Sequence, residues 1–299
     1  MLIWDIIYFV LGLILLYYGS DWFVLGAERL AKFFNVSNFV IGATVVAIGT
    51  SLPEIVTSIY AALTNSPGIT VGNAIGSCVC NIGLILGVSA VISPILLNKE
   101  LKKNITYYII LIVILTILSI NGFDTIDGII LLILTLLYLK KTISDGKVEE
   151  NNNNKDFSLP FSIIMLVIGL GAVLSGSQFL VEGAKGLAKA FGVPDFIIGF
   201  TLVAIGTSLP ELMVSIISAK RKLGGLVLGN ILGSNIIDVG FALGLPAVFY
   251  HLPSNYLGIL SLFILSALIY IFSLKNKISR VDGAIILIIY LITIYFIFF

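Results

Sequence analysis

Eight residues, Ala47 to Glu54 (AIGTSLPE), recur letter for letter as Ala204 to Glu211 in a chain of 299 residues. Each copy ends in a carboxylate set in a strongly apolar stretch. An ionised carboxylate at the centre of a bilayer costs at least about 2.5 to 3.5 kcal/mol on insertion scales, so it rarely persists without partners or purpose. Thr50 and Ser51 stand four and three residues before Glu54 and share its face of a helix, as Thr207 and Ser208 share that of Glu211. Pro53 has no N–H, and its ring collides with the carbonyl four residues back, at Gly49, so the helix is expected to kink or open there. Carbonyls from Ala47 to Thr50 are then expected to face a cavity, and Pro210 to do the same for Ala204 to Thr207. A lone proline in a membrane helix is often a simple packing kink; flanked twice by Gly, Thr, Ser and Glu, it favours the cavity.

Two further stretches supply an opposing wall. Asn73, Ser77 and Asn81 recur every four residues, as do Asn230, Ser234 and Asp238, so each set forms one polar stripe on an otherwise apolar helix. Polar stripes also serve as glue between membrane helices. The small-xxx-small pairs Gly72/Gly76 and Gly229/Gly233 are expected to bring both stripes close to the Glu-bearing helices. The inventory is three carboxylates, a carboxamide, several hydroxyls and freed carbonyls. Such hard oxygens suit Ca²⁺, which takes six to eight oxygen ligands at about 2.3 to 2.6 Å, far better than zinc or copper. They suit Na⁺ as well. A shared acidic pocket is neutralised by one Ca²⁺ or by more than one Na⁺, and mutually exclusive occupancy is the physical basis of antiport. An enzyme is not indicated: the chain shows no Ser/His/Asp set, no metal-binding histidines and no nucleotide loop, and it implies no cofactor. Cys78 and Cys80, two residues apart in an apolar segment, read as small packing residues. His251, beside Pro253, reads as a surface loop residue.

The elements that must position these residues are membrane helices. The chain is 59% hydrophobic and 11% charged, against about 25% charged in soluble domains, which excludes a soluble fold. A net charge of +1 without a long basic run gives no footprint for nucleic acid. The apolar start, Leu2 to Tyr18, has no basic stretch before it and no cleavage pattern after it, so it is expected to be a retained span. Apolar runs of the length a bilayer requires predict ten helices, an all-α polytopic fold: about 2–20, 38–64, 69–94, 104–121, 124–142, 158–178, 195–219, 225–249, 256–274 and 281–299.

Sliding the second half over the first at a shift of 157 residues aligns Gly19-Ser20 with Gly176-Ser177, Gly72-Asn73 with Gly229-Asn230, and Asn81 with Asp238. A two-residue slip then pairs Asp127-Gly128 with Asp282-Gly283. The polar, low-complexity segment 144–157, with Glu149, Glu150 and the run Asn151 to Asn154, reads as a linker between repeats at 1–143 and 158–299. Five spans per repeat is an odd number, so the second copy enters the membrane from the opposite side, the inverted repeat of many secondary transporters. Of the 17 Lys and Arg residues, 15 fall in loops on one side and only Lys185 and Lys189 on the other. By the positive-inside rule the linker is cytoplasmic and both termini lie outside the cell membrane.

The two copies of AIGTSLPE, with GNAIGSCVCN (Gly72 to Asn81) and GNILGSNIID (Gly229 to Asp238), resemble the two alpha-repeats of the sodium/calcium exchanger family, within the wider cation/calcium antiporter group. The short linker, without the large regulatory domain of animal exchangers, is similar to the compact prokaryotic form. The resemblance implies a Na⁺/Ca²⁺ antiporter in membrane lipid with no obligate protein partner. It implies Glu54 and Glu211 as central carboxylates contacting both ions, with Asn81 and Asp238 completing the centre. It further implies an inner sodium position lined by Thr50, Ser51, Ser77 and the Ala47 carbonyl, and an outer one lined by Thr207, Ser208, Ser234 and the Ala204 carbonyl. Asp238 leaves potassium coupling open, since potassium-dependent relatives carry Asp there and animal potassium-independent ones tend to carry Asn. A proton- or potassium-coupled calcium exchanger is the nearest alternative, a cation channel with the same acidic ring the next. An intramembrane hydrolase is the remotest, because Ser51 and Ser208 lack a suitable base.

Overall fold

The computed structural model describes residues 2–146, 158–190 and 206–298, and almost all of them are helical. The first half runs α1 (Leu2–Phe33), α2 (Asn38–Thr50), α3 (Leu52–Leu63), α4 (Pro67–Ile92), α5 (Lys99–Leu118) and α6 (Thr125–Asp145). The second runs α7 (Leu159–Ala190), α8 (Leu209–Lys220), α9 (Gly224–Phe249), α10 (Tyr256–Ser273) and α11 (Arg280–Phe298). Among the described residues, α1, α4, α5, α7, α9 and α10 are each long and apolar enough to cross a membrane, and the bent pair α2/α3 makes a seventh such unit. α4 and α9 form the interior: 94% of the most apolar stretch of α9 is buried, against 17% for α1, whose Ile3, Trp4 and Tyr18 face outward. An apolar surface of this extent belongs against lipid.

Two helices outrun their expected ends. α1 was expected to stop near residue 20 and α7 near 178, yet each spans 32 residues, about 48 Å at 1.5 Å per residue. The hydropathy signal fades after Ser20 because charges appear, but the helical pattern does not. Phe23, Val24, Ala27, Leu30 and Ala31 stay buried at helical spacing, while Glu28 pairs with Lys32 one turn on at 2.8 Å and Asp21 with Arg221 at 2.6 Å. α1 and α7 pack along their length through glycine rows, Gly12, Gly19 and Gly26 against Gly169, Gly176 and Gly183, repeating every seven residues. α6 likewise continues to Asp145, two residues into the expected linker, and residues 147–157 lie outside the described residues.

The described geometry supports the duplication read from the sequence. Strands β1 (Ile95–Leu96) and β2 (Lys277–Ile278) form a short antiparallel ladder in which Ile95 pairs with Ile278. Elsewhere Phe123 and Leu252 exchange backbone hydrogen bonds of 2.8 and 2.9 Å. Under the repeat shift Ile95 corresponds to Leu252, and under the slipped shift Phe123 corresponds to Ile278, so each half contributes one edge to each ladder. The turns after α3 and α8 match too. Asn65 and Lys222, equivalent positions, adopt φ of +55° and +59°, and the next N–H of each turn reaches back to Ala61 at 2.8 Å and Ser218 at 2.9 Å, closing the helix as a Schellman motif.

Candidate ion-binding site

The helix carrying AIGTSLPE breaks at Ser51. α2 ends at Thr50, α3 resumes at Leu52 with Pro53 in its first turn, and the two axes differ by 47°. Ser51 has φ −81° and ψ 3°; its counterpart Ser208, just before α8, has φ −88° and ψ 5°. Each break starts a new helix inside the protein and sets Glu54 or Glu211 in its first turn, where unpaired N–H groups and the positive end of the helix dipole favour a carboxylate. Both glutamates are 1% exposed.

Of the carbonyls expected to be freed, Ala47 to Thr50, that of Ala47 stays engaged. Ala47 accepts the Ser51 N–H at 3.0 Å, so its carbonyl is engaged within its own helix. Pro53 withholds the donor that Gly49, four residues back, would have used, and leaves Ala47 its partner. Ala204 lies outside the described residues.

Two asparagines clamp the breaks from the facing helices. Asn73 on α4 donates to the Glu54 carbonyl at 3.0 Å and to the Ser58 hydroxyl at 2.9 Å. Asn230 on α9 donates to the Glu211 carbonyl at 3.4 Å and to the Ser215 hydroxyl at 3.0 Å. Ser58 and Ser215 are buried partners that the motif reading passed over. Their signal was present: each lies one helical turn after its glutamate and both are serine at equivalent positions.

Contacts also cross between the halves. Thr50 donates to the Asn230 carboxamide oxygen at 3.3 Å, Ser51 to Glu211 at 3.4 Å, and Thr207 lies within hydrogen-bonding reach of Glu54. The first half's hydroxyls thus serve the second half's carboxylate and the reverse. Asn81 and Asp238, the last members of the two stripes, each open a π-helical turn, Asn81–Leu86 in α4 and Asp238–Gly244 in α9. Such turns widen the helix locally and are common at functional sites.

The second glycine pair makes the close contact expected of it. A methyl group on Gly233 would lie 2.6 Å from Ala43 Cα and 2.8 Å from Ala47 Cβ, so α9 lies directly on α2 there; Gly229 is equally tight against Phe39 and Ala43. Gly72 and Gly76 are exposed, and among the described residues nothing lies within 4 Å of a methyl group placed on them.

What remains is a set of buried oxygens without hydrogen-bond partners among the described residues: Glu54 Oε2, Glu211 Oε2, both carboxylate oxygens of Asp238, Asn81 Oδ1, and the hydroxyls of Ser208 and Ser234. Buried polar atoms are nearly always paired, and these orphans on the two repeats are atoms that a positively charged ligand would satisfy. Ser77, 5% exposed, extends the α4 stripe beside them. Among the described residues no three His, Cys, Asp or Glu side chains converge into a metal cluster, so neutral oxygens must complete any coordination shell. Cys78 and Cys80 are buried free thiols, and His251 is exposed.

The sequence pattern described as sodium/calcium exchanger protein matches residues 4–140 and 161–299, which covers both repeats. The chain belongs to the sodium/calcium exchanger family. An uncharacterized membrane protein of Methanocaldococcus jannaschii is 56% identical over 296 residues, with 98% of each chain covered. The sodium/calcium exchanger MaX1 of Methanosarcina acetivorans is 34% identical over 288 residues, covering 81% of this chain and 82% of its own. Among solved structures, the sodium-calcium exchanger NCX_Mj soaked with 10 mM Na⁺ and zero Ca²⁺ superposes with a TM-score of 0.93 at 56% identity, covering 99% of both chains. This exchanger chain therefore shares its compact size and all-α membrane fold with proteins it matches from end to end.

Proposed function

We propose that this chain exchanges Na⁺ for Ca²⁺ across a membrane by alternating access, with the ions held between two inverted five-helix repeats, residues 1–143 and 158–299, near the midplane of a ten-span fold. The observation that carries this reading is the group of buried oxygens on Glu54, Glu211, Asp238, Asn81, Ser208 and Ser234 that have no partner among the described residues. A buried carboxylate oxygen that no donor reaches is strongly disfavoured unless a cation faces it. Glu54 and Glu211 bind Ca²⁺ at the centre, with Asn81 and Asp238 completing its oxygen shell. Thr50, Ser51, Ser77 and the Ala47 carbonyl hold one flanking Na⁺, and Thr207, Ser208, Ser234 and the Ala204 carbonyl another. Both sets share the two glutamates, so calcium and sodium exclude one another. The Ala47 carbonyl is the weakest member of its set, because the Ser51 N–H of its own helix already occupies it.

The loops rich in Lys and Arg, and with them segment 147–157, face the cytoplasm, which puts both termini outside. A thiol reagent reaching a cysteine introduced at Asn152 from outside intact cells would reverse that orientation. Purified protein in liposomes tests the exchange itself. Calcium uptake is expected when an outward sodium gradient is imposed. Uptake driven equally well by a proton or potassium gradient without sodium would refute sodium coupling.

A further inference from the structure

An asparagine is an ambiguous cation ligand, because its amide end donates and only its carbonyl end can face a positive ion. Asn81, 1% exposed, has its amide nitrogen 3.0 Å from the carboxamide oxygen of Asn235, and its own oxygen has no partner among the described residues. Asn235 is fully buried, and its amide nitrogen is committed twice, to the backbone carbonyl of Cys78 at 3.3 Å and to the Tyr108 hydroxyl at 2.8 Å. Tyr108 in turn meets Ser266 on α10 at 3.1 Å. The Cys78 carbonyl can only accept. It therefore turns the NH₂ of Asn235 toward itself and the oxygen of Asn235 toward Asn81. Asn81 must answer with its NH₂, and its oxygen is left for the site.

We infer that Asn235 is a positioning residue for ion binding: through the one-way chain Cys78 carbonyl, Asn235, Asn81, it holds the oxygen of Asn81, and not the amide, toward the cation. The inference rests on the assignment of Asn81 as a calcium ligand. The repeat itself supplies an independent argument. Asn81 corresponds to Asp238, and Asn235 corresponds to Cys78. Asp238 carries two equivalent oxygens and has no wrong end to present, and in its own half the orienting position is occupied by a cysteine. The half with the ambiguous ligand is served by a carboxamide from across the interface, and the half with the unambiguous ligand is not.

Calcium binding to the purified full chain, measured by titration without sodium and again at several sodium concentrations, tests this in Asn81→Ala, Asn235→Ala, Asn235→Leu and the two double variants. Asn235→Leu fills nearly the same volume and keeps the packing should the alanine variant be unstable. Groups that orient a metal ligand typically contribute 10- to 100-fold in affinity, so both Asn235 variants are expected to bind calcium about tenfold more weakly or worse. The sodium concentration that halves calcium binding, scaled to that affinity, should stay within about twofold of wild type, since the flanking positions do not use Asn81. In the Asn81→Ala background, either change at 235 should weaken calcium no further. Losses that multiply in the double variants, or unaltered calcium affinity in both Asn235 variants beside a loss in Asn81→Ala, would overturn the positioning role while keeping Asn81 as a ligand. No loss in Asn81→Ala itself would remove that ligand assignment and the inference with it.

Discussion

The contact between α9 and α2 can be tested with one methyl group. In Gly233→Ala the new carbon would sit 2.6 Å from Ala43 Cα, whereas carbons in contact settle at about 3.5 to 4.0 Å, so α9 must retreat by about 1 Å. Overpacking of this kind costs about 1 to 3 kcal/mol, and the better helix propensity of Ala returns about 1 kcal/mol. The net expectation is a loss of about 0 to 2 kcal/mol. If no packing opposed it, the substitution would keep only the propensity gain and stabilise the protein. The same 1 Å retreat would carry Asn230 away from Thr50, whose hydrogen bond is already 3.3 Å long, and break it. Thermal unfolding of the purified wild type and variant, with sodium-driven calcium uptake, provides the assay. Gly233→Ala should melt below wild type and transport more slowly. A melting temperature above wild type, as the propensity gain alone would give, would refute the close approach of α9 to α2.

Glu54→Gln and Glu211→Gln each keep size and remove a charge from the shared centre, so each should abolish calcium uptake in liposomes; near-normal exchange in either would sink its central role. Ser77→Ala and Ser234→Ala each remove one neutral oxygen from a flanking sodium position. Calcium titrations at several sodium concentrations should show sodium competing less well in both, with calcium affinity largely kept. In the wild type that competition should rise more steeply than the first power of sodium, and a first-power dependence would contradict a multi-sodium pocket. Lys222, exposed and at φ +59°, sits in a region that costs an L-residue about 1 kcal/mol or more, whereas its counterpart Asn65 tolerates it. Lys222→Gly should therefore raise the melting temperature slightly, and a lower one would show that the lysine side chain makes a stabilising contact.

Much of the site was legible because it is written twice. Glu54 and Glu211, their Thr-Ser neighbours and the Asn81/Asp238 stripes stood out as polar residues at helical spacing in apolar surroundings, and the proline announced the break at Ser51. What escaped had a physical reason in each case. Hydropathy marks where a helix leaves lipid and not where it ends, so the charged but regular second halves of α1 and α7 read as loop. The Ala47 carbonyl was expected to be free because a kink loosens its neighbourhood, but proline strips only the carbonyl four residues back. Asn235 hid because its role lies in a difference between the repeats, and a search for what recurs passes over what does not.

The two ladders impose a timetable on the newborn chain. Ile95 cannot close its ladder until Ile278 exists, about 180 residues later, and Phe123 waits for Leu252, about 130 residues later. At ribosomal rates of about 5 to 20 residues per second, the first of these edges stands open for roughly 10 to 40 s. During that interval the first half is an unfinished object, with Ile95, Phe123 and the carboxylate of Glu54 all lacking the partners that the second half will bring. Premature release from the insertion machinery would strand those groups, so a truncation just before Ile278 should leave a chain that inserts but is cleared by proteolysis.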